Sequence, residues 1–194
     1  WGATPLLVAS QRGGAEAGAL LLEAGADADL ETEDGETPLH VACQEGLADV
    51  VSKLLAAGAR TNHARVDGPT PLALAITGGF NPSGGVMADV VAMLIEAGAD
   101  VNLASGTEST GASWTLAFIA ASSGLLDVLE LLLEAGAVVD EMTTVGPAAG
   151  KTPFYVAMRE GHLACMQLLA SYGARRFGIG PMPLAYAHSD SVAL

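Results

Sequence analysis

One short phrase recurs along this chain at a spacing that few folds can use. Thr4-Pro5-Leu6, Thr37-Pro38-Leu39 and Thr70-Pro71-Leu72 lie 33 residues apart, and each opens a stretch with apolar residues at helical spacing. A threonine followed by proline is a helix start. The hydroxyl satisfies free backbone N–H groups, and proline in the first helical position gives up an N–H that would be unpaired there anyway. In the copy at residues 33–62, Leu39, Val41 and Ala42 line a short first helix that Gly46 ends. Leu47, Val50, Val51, Leu54 and Leu55 then form a second apolar stripe, which Gly58 stops. Each period is therefore two short antiparallel helices.

Further copies follow with more variation. The fourth has a degraded head, Thr115-Leu116-Ala117-Phe118-Ile119-Ala120, and regains the pattern in Leu131-Leu132-Leu133-Glu134-Ala135-Gly136-Ala137. A fifth runs from Thr152-Pro153-Phe154-Tyr155-Val156-Ala157 to Gly173-Ala174, and Met182-Pro183-Leu184-Ala185-Tyr186-Ala187 reads as the first helix of a sixth. The fullest copy, Thr37-Pro38-Leu39-His40-Val41-Ala42, is followed by a glycine, an apolar helix, Leu-Leu and Gly-Ala. It resembles the ankyrin repeat, whose signature is T-P-L-H-x-A at a period of about 33 residues. The resemblance covers nearly the whole chain. It implies an all-α solenoid of stacked helix-turn-helix units joined by β-hairpins or loops. One domain over residues 1–194 is expected, with repeats at about 1–30, 31–62, 63–102, 103–140 and 141–176 and a partial sixth at 177–194. Each pair leaves an apolar face that only a neighbour can cover, so stability is a sum over units and their junctions.

Successive threonines are spaced 33, 33, 45 and 37 residues apart, which locates three insertions. Seven residues fall within the third repeat around Phe80 to Val86, where Asn81-Pro82-Ser83-Gly84-Gly85 forbids helix and favours turns. Five more fall between Asn102 and Thr115, and four between Asp140 and Thr152. In a stacked array, insertions map to loops and often to the binding face.

A chain of 194 residues that is 51% hydrophobic can bury a substantial core, but only 5% is aromatic. The core must be built of Ala, Leu and Val, small enough for short helices to stack closely. The formal net charge is -14, and only Lys53, Lys151 and six arginines oppose the acids. Such a chain repels phosphate backbones, so no nucleic-acid partner is expected. The acidity has two readings, solubility for an alanine-rich array, since acidic residues at repeat junctions are ordinary, or a preference for a basic partner. No signal-peptide pattern is present, and the most apolar stretch, Leu116 to Leu133, is broken by Ser122, Ser123, Asp127 and Glu130, so no membrane insertion is expected. Cys43 and Cys165 sit three repeats apart, too far for a disulfide, and read as buried reduced thiols of an intracellular protein, cytoplasmic or nuclear. The chain starts at Trp1, inside a repeat, and reads as a fragment of something longer.

Several stretches imitate sites of chemistry. Val145-Gly146-Pro147-Ala148-Ala149-Gly150-Lys151-Thr152 is similar to a phosphate-binding loop, but the required first glycine is Val145, and Thr152-Pro153 is already a helix start. The acidic run Asp27-Ala28-Asp29-Leu30-Glu31 lacks the glycine and glutamate of a calcium loop, since Thr32 and Pro38 hold those places; it reads as a solvated hairpin tip. His162 and Cys165, one turn apart, make at most half a metal site. His40, His63, His162 and His188 are spread over separate repeats. The resemblance implies that His40 bonds between repeats and that His162 opens a second helix. Ser122-Ser123-Gly124 is a helix end, not a nucleophile elbow. Neither catalysis, metal nor cofactor is expected.

What remains is a surface. The resemblance implies that a protein partner is held on the concave side, formed by the hairpin tips and the exposed ends of the first helices. Those helix ends carry Gln11 and Arg12, Gln44 and Glu45, Thr77, Ser122 and Ser123, then Arg159 and Glu160. The tips add Glu33, Asp34 and Glu36, then Asp67, Trp114 and Lys151. The first half of this groove is acidic, whereas the fifth repeat brings Arg159 and Lys151. Trp114 has two readings, as a binding anchor or as a cover for the degraded head of the fourth repeat. The expected function is a monomeric protein-interaction module, a scaffold or adaptor. The alternatives are a regulatory or targeting domain of a larger enzyme, and a spacer whose groove contacts its own chain.

Overall fold

The computed structural model describes residues 3–66, 68–78, 85–103, 114–143 and 150–175. These residues form α1 (Pro5–Gln11), α2 (Ala15–Glu23), α3 (Pro38–Gln44), α4 (Ala48–Ala56) and α5 (Pro71–Thr77). They continue with α6 (Gly85–Glu96), α7 (Leu116–Ser123), α8 (Leu126–Glu134), α9 (Pro153–Glu160) and α10 (Leu163–Ser171). Each odd-numbered helix packs on the next odd-numbered one, each even-numbered on the next even-numbered one, and the two members of a pair pack on each other. The result is an all-α solenoid of stacked helix pairs, as the repeats imply.

The helix starts follow the threonines. The hydroxyls of Thr4, Thr70, Thr115 and Thr152 accept from the N–H groups of Leu7, Ala73, Phe118 and Tyr155 at 3.1 to 3.3 Å. That bond forms in the degraded fourth repeat too, which explains how α7 starts cleanly on Leu116 without proline. Down the middle of the stack run Ala42, Ala75, Ala120 and Ala157 on the first helices, and Leu54, Leu94, Leu132 and Leu169 on the second, all at most 2% exposed. The alanines let neighbouring helices approach. Each buried leucine contributes on the order of 1.5–3 kcal/mol.

Two sequence expectations change here. Gly85 was expected in a turn and is instead the first residue of α6, which runs 12 residues where α2, α4, α8 and α10 run 9. Part of the insertion is thus taken up as helix at its N-terminal end, where an established helix can propagate through a glycine at a cost of about 1 kcal/mol. Residues 79–84 lie outside the described residues, as do 104–113 and 144–149 of the other insertions. The connections, expected as β-hairpins or loops, contain no strand among the described residues. Backbone bonds close their tips, among them Thr32 N–H to the Glu36 carbonyl at 3.0 Å, Arg65 to Pro69 at 3.1 Å and Thr143 to Lys151 at 3.1 Å.

The second change concerns the acidic run. Asp29 is not a solvated tip residue. Its carboxylate accepts the N–H of Arg60 at 2.9 Å and faces that arginine's guanidinium at 3.3 Å. Three more residues do the same, each four positions after the glycine that ends a second helix. Asn62 accepts from Asp100 N–H at 2.8 Å and donates to the Gly98 carbonyl; Asn102 accepts from Val138 N–H at 3.0 Å and donates to the Gly136 carbonyl. Asp140 accepts from Arg175 N–H at 3.0 Å. A ladder of side-chain rungs therefore ties each pair to the next. Its identities are matched: aspartate occurs opposite arginine, and asparagine where the opposite residue is aspartate or valine.

Candidate interaction surface

The first hairpin tip and the first helix enclose a cleft of about 650 Å³, lined by Ala3, Leu7, Gln11, Thr32, Glu33, Asp34 and Glu36. Four residues expected on the binding face, Gln11, Glu33, Asp34 and Glu36, are brought together in it. Its floor is the exposed edge of α1 and its wall is the tip, so the fold of two successive repeats is needed to form it. Glu36 is partly neutralised, because its carboxylate binds the Arg65 guanidinium at 2.9 Å. The next tip is fastened to this one by a bond from Val66 N–H to the Asp34 carbonyl at 3.0 Å.

Behind the cleft lies a buried polar cluster. His40, fully buried at the head of α3, donates from Nε2 to the His63 carbonyl at 3.0 Å. That fixes Nδ1 as an acceptor, and it takes the Thr37 hydroxyl at 2.8 Å and the Thr37 N–H at 3.2 Å. Burial, with the His63 ring close by and Arg65 beyond it, lowers the His40 pKa to about 4. The imidazole is a neutral bridge between two repeats. His63 packs edge-on to it, with ring centroids 5.8 Å apart, and turns Nε2 to within 2.7 Å of Glu31.

Farther along, the positions held by Glu36 and His40 are occupied by a ring pair in the fourth repeat and by a cation over a ring in the fifth. Trp114 lies 6.5 Å from the buried ring of Phe118, and Lys151 sits with its ammonium 5.7 Å above the Tyr155 ring. Trp114 is 39% exposed, so it covers the α7 head and still presents an edge outward. The expected basic patch on the fifth repeat is weaker than its residues suggest, because the Arg159 guanidinium is engaged by its neighbour Glu160.

The remaining expected residues sit at helix ends. Arg12 and Glu45 occupy the caps of α1 and α3, and Gln44 is exposed on the last turn of α3. Thr77 donates to the Ala73 carbonyl at 2.8 Å, and Ser122 to that of Ile119 at 2.9 Å, so both hydroxyls serve their own helices. Ser123 is exposed. Asp67 lies outside the described residues.

Two cross-repeat contacts shape this face. His162, ahead of α10, donates from Nε2 to the Ser122 carbonyl at 3.1 Å. Its ring lies so close to Gly124, which has φ 68°, that an added Cβ would stand 2.6 Å from Nδ1. Gly78 is needed for space alone, since a Cβ there would stand 2.8 Å from the Gln44 carbonyl oxygen.

Chemistry finds little to work with in the described residues. Burial pushes both the Cys43 and Cys165 thiols up, away from the reactive thiolate. Among them, no three His, Cys, Asp or Glu side chains gather in a way that could hold a metal ion, and no helix is long and apolar enough to cross a membrane. Sequence reasoning missed the rungs, although a Gly-to-Asx spacing of four residues recurs and could have revealed them. It also missed Leu7 and Thr32 in the cleft, which no local pattern marks.

The family model for ankyrin repeats, in three copies, matches residues 6–105 and 84–178, and no curated protein matches the chain.

Proposed function

We propose that this chain, which belongs to the ankyrin-repeat family, holds a basic segment of a partner protein in the cleft between α1 and the first hairpin tip. Ankyrin repeats are in general protein-interaction modules, and their extended concave faces are the surfaces they use. The observation that carries the narrower reading is the convergence of Glu33, Asp34 and Glu36 with Gln11 around one cleft. Carboxylates there would steer a basic segment in and set its register, while Leu7 and Ala3 receive apolar stems. Farther along, Trp114 and Tyr155 supply rigid rings for the same partner. The cleft is built when the repeats stack, so ordering it is not charged to binding. The chain acts by presentation, as a monomer and without catalysis.

Fluorescence titration with a lysine- and arginine-rich peptide, beside a glutamate-rich peptide of equal length, tests this reading. The basic peptide is expected to bind, to weaken steeply with added salt, and to lose at least roughly tenfold in affinity to a Glu33→Lys, Asp34→Lys variant that remains folded. Equal binding of both peptides, or an unchanged affinity in the variant, sinks it.

A further inference from the structure

Successive helix pairs are not joined equally along the stack. In the layer of first helices, α1 lies close along α3, α3 along α5 and α7 along α9, whereas α5 and α7 approach each other over a far shorter stretch. In the layer of second helices the same junction is ordinary, since α6 and α8 meet as closely as α4 and α6 do. The third and fourth pairs are therefore held together on the second-helix side and stand apart on the first-helix side. α5 leans the other way. Its end at Gly78 is so near α3 that a Cβ there would stand 2.8 Å from the Gln44 carbonyl oxygen.

The hydrogen bonds divide in the same way. Between the second and third pairs, His40 reaches the His63 carbonyl at 3.0 Å, Arg65 binds Glu36 at 2.9 Å, and Val66 N–H binds the Asp34 carbonyl at 3.0 Å. Between the fourth and fifth, His162 donates to the Ser122 carbonyl at 3.1 Å, and its ring meets Gly124. In the third and fourth pairs, Ala73 stands where His40 does and Leu125 where His162 does, and neither side chain can form such a bond. Among the described residues, the hydrogen bonds that cross this junction are those of Asn102, from Val138 N–H at 3.0 Å and to the Gly136 carbonyl at 3.2 Å. Both lie beyond the ends of α6 and α8, on the second-helix side. α5 and α7 stay buried, from Pro71 to Ile76 and from Leu116 to Ala121, so apolar packing holds them. Such packing is non-directional and sets no single register.

We infer that the third and fourth pairs meet at a hinge. The first three pairs form one body and the last two another, the Asn102 rung is the pivot, and α7 moves toward or away from α5 across the concave face. Gln44 and Glu45 on one half of that face thereby change their separation from Ser123 and Arg159 on the other, without unfolding. The inference does not depend on the acidic cleft or on either end of the array.

The test places spin-label pairs at exposed helix ends, in a Cys43→Ala, Cys165→Ala background so that only the added thiols react. Gln44→Cys with Ser123→Cys, and Thr77→Cys with Arg159→Cys, each span two junctions, one of them the hinge; Gln11→Cys with Thr77→Cys spans two others. The first two label pairs are expected to give distance distributions at least roughly twice as wide as the third. Asn102→Ala is expected to widen the Thr77 to Arg159 distribution further. Hydrogen exchange on the unsubstituted chain gives a reading free of labels. The most protected amides of α3 and α4 are expected to differ in opening free energy from those of α7, α8 and α9, as weakly coupled units do. Equal widths in all three label pairs overturn the inference, and so does a single opening free energy shared from α3 to α9. A width that Asn102→Ala leaves unchanged overturns the assignment of the pivot.

Discussion

The heads of α3 and α7 solve one problem with opposite chemistry. Both begin on a threonine, bury the next six residues and pack against the neighbouring pairs. At α3 the Thr37 hydroxyl turns to His40, and His40 reaches the His63 carbonyl, so the head is tied to the following repeat by a buried polar chain. At α7 the Thr115 hydroxyl caps its own helix, and the fourth helix-head position is Phe118, shielded by Trp114. Stacking geometry therefore does not depend on the polar chain. What the chain adds is direction, since each of its bonds has one correct partner, whereas ring packing tolerates small slips. The difference also predicts which head responds to pH and which to truncation.

Converting the first head toward the second should cost most. His40→Phe leaves the His63 carbonyl and the Thr37 hydroxyl without their partner and is expected to cost about 3 kcal/mol, read from urea midpoints at neutral pH. The same comparison has a pH signature. His40 binds its proton at about 4 when folded, against an ordinary value of 6.5, because burial opposes the charge. The unfolded chain takes the proton first, so stability is full above pH 6.5, falls as pH drops toward 4, and levels off below it. The full swing is about 3 kcal/mol. In His40→Phe this component should vanish; a swing of the same size there would mean that other groups cause it.

Gly124→Ala should cost about 2 kcal/mol, since alanine is strained at a positive φ and its Cβ meets His162. Adding His162→Ala should relieve only the clash. A double variant as unstable as the sum of both would show that the ring and the glycine are not in contact. Trp114→Ala is expected to cost about 1 kcal/mol from lost ring packing. A thermal melt unchanged by that substitution would free Trp114 from its structural duty and leave binding as its whole role.

The smallest effect belongs to the ladder. Asn62→Asp puts a carboxylate beside Asp100 and removes the donor to the Gly98 carbonyl, for about 0.5–1 kcal/mol at low salt, partly recovered at high salt. Asp100→Asn in the same chain should recover the charge component. If it does not, the matched identities along the ladder are coincidence.

Much of this architecture was legible because it is local. A Thr-Pro step, an apolar stripe and a glycine are read within one turn of helix, and the described helices other than α6 begin and end close to where those residues stand. The α6 start departs from the turn its sequence favours because a glycine-rich stretch can be drawn into a helix that its other end has already secured. Asp29 departs from the sequence reading for a different reason. Its partner Arg60 is 31 positions away and comes near only once two repeats have stacked. The cleft was half legible: Glu33, Asp34 and Glu36 could be assigned to a tip, but their convergence on Gln11 depends on the offset between successive pairs, which no single repeat encodes.

The matched rungs carry a consequence for how such a chain can change its length. Lose the second helix pair as a unit, and Asp29 comes to face Asp100; duplicate the third, and Asn102 serves another Asp100 without conflict. Copies of one motif are therefore not free to be cut and joined in any order, although each folds alike. The array has a syntax, written in four side chains outside the core, and it biases which rearrangements of the gene stack without a charge conflict.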